Sequence, residues 1–77
     1  MKKAIVKSTQ SNDSLHLIEI DNLMLSVSIE DLDQNVQDTE DEELFLNSLW
    51  SKTIELCKKY DCDEVYCFES EQIVWSK

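Results

Sequence analysis

Residues 15–29 read Leu15-His16-Leu17-Ile18-Glu19-Ile20-Asp21-Asn22-Leu23-Met24-Leu25-Ser26-Val27-Ser28-Ile29, and this stretch decides the fold. Two strand-like runs flank Asp21-Asn22, a pair able to take positive φ, which predicts a tight β-hairpin. The turn sets the register, so Ile20 opposes Leu23, Ile18 opposes Leu25 and His16 opposes Val27, each pair on a shared face. The expected buried face is therefore Ile18, Ile20, Leu23, Leu25, Val27 and Ile29. Leu15, Leu17 and Met24 point the other way.

Toward the N-terminus, Ala4-Ile5-Val6 suits a first strand, joined to the hairpin by a polar turn from Ser8 to Ser14. Toward the C-terminus, Glu30 to Asp38 is highly charged, has only Leu32 and Val36 as apolar anchors, and reads as a connecting loop with room for one helical turn. Thr39-Glu40-Asp41-Glu42 fits a capping box, with Thr39 as N-cap and Glu42 reaching back. Acids fill the first turn that follows and Lys58 and Lys59 the last, matching the helix dipole. Leu46, Leu49, Trp50, Thr53, Ile54, Leu56, Cys57 and Tyr60 share one side at helical spacing, against Asn47, Ser48, Ser51, Glu55 and Lys58. A helix from Glu40 to Tyr60 would be roughly 30 Å long, enough to cross a small sheet.

Beyond Asp61-Cys62-Asp63 the pattern returns to strand in Val65-Tyr66-Cys67-Phe68 and Ile73-Val74-Trp75, with a turn at Ser70-Glu71. A two-residue turn there places Phe68 opposite Ile73 and Tyr66 opposite Trp75. The order β-β-β-α-β-β predicts a single α+β domain over residues 1–77. Its antiparallel sheet is packed on one face by a single amphipathic helix. The other face keeps Leu15, Leu17, Met24 and part of the β-hairpin at the C-terminus, a candidate surface for homodimerisation or for assembly as an adaptor module.

Charge narrows the function more than any motif. Seventeen acids against seven lysines give a net charge of −10. Glu30, Asp31, Asp33, Asp38, Glu40, Asp41, Glu42 and Glu43 follow one another without an intervening base. Such a chain repels phosphate backbones and anionic membranes and is steered toward basic surfaces. Direct nucleic-acid binding and membrane binding are therefore not expected. Packed carboxylates can instead compete for a basic groove, which makes Asp31, Asp33, Asp38, Glu40, Asp41, Glu42 and Glu43 the candidate partner-binding residues.

Catalysis and cofactors find little support. With no glycine or proline, phosphate-cradling loops, dinucleotide fingerprints and nucleophile elbows are excluded. Asp31-Leu32-Asp33 lacks the spacing and the mid-loop glycine of an EF-hand. Cys57, Cys62, Cys67 and His16 could in principle supply four zinc ligands, but the thiols are five residues apart instead of paired at short spacing. Core packing explains Cys57, Cys67 and His16 more simply. No motif calls for a cofactor, and no enzyme is expected. The start, Met1 to Lys7, has the charged front of a signal peptide without its apolar stretch, and an odd number of thiols suits a reducing, cytoplasmic setting.

In size, acidity and α+β layout the chain resembles the small phage-encoded anti-defence proteins, among them anti-CRISPR proteins and DNA mimics. The resemblance implies a stoichiometric inhibitor of a basic, nucleic-acid-handling protein, such as a CRISPR effector subunit or a nuclease. It would act in the host cytosol by occupying the nucleic-acid-binding surface. A toxin-immunity protein directed at a nuclease would use the same acids.

Overall fold

The computed structural model describes residues 2–9 and 14–77. Along the chain come β1 (Lys3–Ser8), β2 (His16–Ile20), β3 (Leu23–Val27), a 3₁₀ turn (Ile29–Asp31), α1 (Gln34–Gln37), α2 (Glu42–Lys59), β4 (Glu64–Cys67) and β5 (Gln72–Ser76). Residues 10–13 of the expected polar turn lie outside the described residues. The central hairpin has the register its sequence dictates, with His16 on Val27, Ile18 on Leu25 and Ile20 on Leu23. Asp21 takes φ 53° in its turn. Without glycine, left-handed positions fall to Asp21, Asp61 and Glu71; aspartate tolerates this conformation better than most residues.

The fold is α+β, a five-stranded sheet with one main helix, but the sheet is mixed and not antiparallel. Its spatial order is β3-β2-β1-β4-β5, and β1 and β4 pair in parallel. The cause lies in the connection. The meander leaves β3 running in the same direction as β1, and a single long helix carries the chain back to the end where both began. The next strand must then start parallel to them. β4 pairs with the free edge of β1, which becomes the central strand.

Asp63 closes this joint. Its backbone N–H donates to the Lys2 carbonyl at 2.8 Å, its own carbonyl accepts from Lys77 at 2.8 Å, and its carboxylate accepts from the Lys2 N–H at 3.1 Å.

Helix α2 starts two residues later than its acidic run suggests. Asp41, not Thr39, is the N-cap, and its carboxylate accepts from the N–H groups of Glu43 and Leu44 at 3.1 and 3.3 Å. Thr39 Oγ1 instead accepts from the Asp41 N–H. The helix ends in a Schellman motif, with the Cys62 N–H bonded to the Cys57 carbonyl and the Asp61 N–H to that of Lys58. Leu49, Thr53 and Cys57 form its buried line, spaced four apart. They pack over Ala4, Val6, Ile18, Ile20, Val27 and Val65.

Three apolar placements differ from simple alternation. Leu23 is 50% exposed, Ile29 38% and Leu46 48%. Leu23 sits at the turn end of edge strand β3, whose other end, at Val27, is the part that reaches the core, and Ile29 lies past the end of β3. An 18-residue helix is about 27 Å long, whereas a five-residue strand covers only about 17 Å. The first turns of α2 therefore overhang the sheet, with Leu46 among them.

In the hairpin at the C-terminus the turn has four residues instead of two, so Tyr66 pairs with Ile73 and Val65 with Trp75 around a bulge. That shift brings Trp75 to the helix side, beside the core.

The two helix leucines give a direct check of this packing. Leu49→Ala should cost about 3 kcal/mol in urea unfolding, and Leu46→Ala less than about 1 kcal/mol, because only the first leaves a cavity.

Candidate functional site

The seven carboxylates singled out by charge are all exposed and follow one path along the chain. Asp31 ends the 3₁₀ turn, Asp33 and Asp38 flank α1, Glu40 bridges to α2, Asp41 caps it, and Glu42 and Glu43 fill its first turn. Several have local work. Asp31 accepts from the Ser28 N–H and hydroxyl at 2.8 and 3.2 Å, and Asp38 accepts from the Gln34 amide at 3.0 Å. None forms an ion pair with a described residue. Among the described residues the one ion pair is Lys7–Glu19 at 3.1 Å, on the sheet.

Buried Leu32 and Val36 anchor the acidic connection to the rest of the molecule, and beside them lies a cleft of about 330 Å³. Asp31 and Asp33 line it from the connection, and Asn47, Ser48, Ser51, Lys52 and Glu55 from α2. The cleft brings together Asp31, Asp33 and Glu55, but not Asp38, Glu40, Asp41, Glu42 or Glu43. Helical periodicity puts Glu55 on the side away from the core, which is the signal that could have marked it. What it could not convey is that the 3₁₀ turn and α1 fold back against that side. Three carboxylates against the single cation Lys52 leave the cleft net negative over an apolar base. In this setting a long cationic side chain can lay its stem on the base and its head near the acids.

The sheet face turned away from α2 carries Met24 (57% exposed), Phe68 (56%) and Ile73 (53%), with Ile5, Leu17 and Tyr66 half-buried among them. Register places Met24, Glu19, Ile5, Tyr66 and Ile73 in one row across the strands. Lys3 lies over the Tyr66 ring at 4.8 Å and Lys7 over Phe68 at 5.3 Å. The lysines thus lie on the aromatic faces that a stacked base would need. Leu15, expected on this open side, instead packs against the core.

Histidine and the cysteines do not assemble into one site. Among the described residues, no group of three or more His, Cys, Asp or Glu side chains could hold a metal ion. His16 is only 3% exposed. Its Nδ1 lies 3.0 Å from Thr53 Oγ1, and the Thr53 hydroxyl donates to the Leu49 carbonyl at 2.8 Å. With the hydroxyl proton so used, Nδ1–H is the donor to Oγ1, which assigns the neutral tautomer. Its ring packs at 4.5 Å from that of Trp50. Burial holds the imidazole pKa below its usual value, opposed by the charge of Glu69. Cys57 and Cys62 meet at the end of α2, and burial is the main cause that pushes the Cys57 thiol up to about 12. Cys67 lies apart on β4.

No protein-family model, curated protein or solved structure matches the chain. The site is therefore read from its own geometry.

The His16–Thr53 pair has a pH signature. A folded-state pKa below the unfolded value of 6.5 means that unfolding takes up a proton in the window between the two. Stability should be level above about pH 6.5 and fall as the pH drops toward the folded value. His16→Gln should flatten that step in denaturant titrations run across pH 7 to about 5. Thr53→Val should cost about 1–3 kcal/mol by stranding Nδ1–H.

Proposed function

We propose that the chain is a small acidic inhibitor that binds a basic, nucleic-acid-handling protein through the face formed by the 3₁₀ turn, α1 and the start of α2. The observation that carries this reading is the set of seven exposed carboxylates with no ion pair to a lysine. A basic partner would supply the side chains that these acids attract. The cleft beside Asp31, Asp33 and Glu55 adds a place for an arginine or lysine of that partner.

Charge density narrows the target. A net charge of −10 along a 37 Å long axis is about one charge per 4 Å. A single nucleic-acid strand carries one per about 3.4 Å and a duplex one per about 1.7 Å. Overall the molecule carries less charge per length than a duplex, and we take a guide-strand or single-strand channel as the target to test first. An anti-CRISPR-like blocker of an effector subunit fits this description. So does an immunity protein that covers the active groove of a nuclease.

A second reading has its own observation in its favour. The exposed apolar row from Met24 to Ile73 suits an adaptor or homodimer that assembles through the open sheet face. The two readings use opposite sides of the molecule and can be separated.

Asp33, Glu40, Glu42 and Glu43 can be reversed to lysine without disturbing the bonds made by Asp31, Asp38 and Asp41. The wild-type protein should displace a labelled single strand from a purified basic nuclease or CRISPR effector subunit, and lose potency as salt rises. The fourfold lysine variant should be weaker by roughly a hundredfold or more. Equal displacement by the variant would sink the acidic-face mechanism. Sedimentation of wild type against a Phe68→Glu, Ile73→Glu variant tests the second reading, which needs wild-type dimers that the variant lacks.

A further inference from the structure

The Schellman motif that ends α2 puts the side chains at its first and last positions in contact, and that contact is ordinarily between apolar residues. Here the two positions are Cys57 and Cys62. The Cys62 N–H bonds to the Cys57 carbonyl at 3.2 Å, and Asp61 takes the left-handed angle (φ 60°) that brings the chain back. The Cys62 thiol acts on the titration of Cys57, disfavouring a second negative charge beside it. Both are free and buried, and both belong to the core cluster with Ala4, Ile20 and Val65. A disulfide requires α-carbons about 4.4–6.8 Å apart with the β-carbons facing each other. The backbone hydrogen bond between the same two residues, at the two ends of a Schellman motif, holds the chain in that range.

We propose that Cys57 and Cys62 are a preformed dithiol that a hydroperoxide closes to an intramolecular disulfide, clipping the end of α2 to the approach of β4. The Cys62 thiolate attacks one peroxide oxygen, the O–O bond breaks, and the departing hydroxide takes a proton to become water. Cys62 is then a sulfenic acid. The Cys57 sulfur attacks it, the S–S bond forms and the S–O bond breaks, and the second hydroxide leaves as water with the Cys57 proton. Two thiols and one hydrogen peroxide thus give one disulfide and two waters. Both thiols are raised, in each case chiefly by burial. At Cys62 the charge of Lys2 opposes a rise to which Asp21, Asp63 and Asp61 add, whereas at Cys57, pushed up to about 12, no described group opposes it, so Cys62 is the attacking group. Cys67, facing α2 from β4 opposite Val6 and Gln72, takes no part.

The test treats the native protein with hydrogen peroxide, alkylates under denaturing conditions, and reads the intact mass and the peptide map. The expected product is a monomer lighter by two hydrogens, alkylated only at Cys67, with a Cys57–Cys62 cross-link that reductant reverses. Its thermal midpoint should rise. The closure rate should increase about tenfold per pH unit just above neutrality, as expected for a thiolate well below its pKa. Cys67→Ser should close like the wild type, and Cys57→Ser should stop at a sulfenic acid that dimedone traps on Cys62. Because Cys67→Ser keeps both partners, it carries the test even if the core variant folds poorly. Three alkylated thiols after treatment, or a bond that involves Cys67 or a second chain, would overturn the proposal.

Discussion

One helix must cover a five-stranded sheet, and the rest of the structure is arranged around that shortage. Five strands at about 4.8 Å spacing are roughly 19 Å wide, whereas a helix with its side chains covers about 10–12 Å. Of the side chains with no exposure, Ala4, Ile18, Ile20 and Val65 all lie on β1, β2 and β4, the middle of the sheet. Leu23, at the hairpin end of edge strand β3, is left half in water, and Trp75 on the other edge strand is only partly buried. The same helix fixes the sheet's polarity, because a single crossover returns the chain to the end where β1 starts. A narrow core also leaves little room for error. His16 and Thr53 sit in it only because each answers the other's hydrogen-bonding need.

The hairpin was legible from sequence because it is local. Asp21-Asn22 and the alternation around it determine which residues pair, and nothing distant competes with that choice. The helix was legible in kind and in its inward line, Leu49, Thr53 and Cys57, because periodicity survives whatever the helix packs against. Its start was not. Any of Thr39, Glu40 or Asp41 can serve a helix N-terminus, and the choice falls to how α1 delivers the chain. The parallel pairing of β1 with β4 was illegible for a stronger reason. It depends on where a 27 Å helix sets the chain down, and no residue of β4 records its partner.

The candidate site divides along the same line. That the acids are exposed follows from their chemistry and their run. That Asp31 and Asp33 share a cleft with Glu55 depends on Leu32 and Val36 folding back onto α2, a tertiary event. The meeting of Cys57 and Cys62 lay between these cases. A spacing of five residues fits poorly with a zinc knuckle, but it is the spacing that a Schellman ending brings into contact. The helix end, and not the metal pattern, gives that spacing its meaning.

Helix capping alone does not account for the acidic face. Asp41 supplies the cap, and Glu42 and Glu43 occupy the turn where a dipole favours negative charge. Asp31 and Asp38 hold their own short turns through hydrogen bonds, which asparagine or serine could supply without added charge. Asp33 caps α1 without a side-chain bond, and Glu40 belongs to no helix. Three of the seven, Asp31, Asp33 and Asp38, therefore lie away from the start of α2, and placing them near the other four in sequence adds repulsion that the fold must absorb. Solubility would be served as well by spreading the same charges over the molecule. The lysines Lys3 and Lys7 rest on Tyr66 and Phe68 instead of among the acids, so the sheet contributes no counter-charge to the run from Asp31 to Glu43.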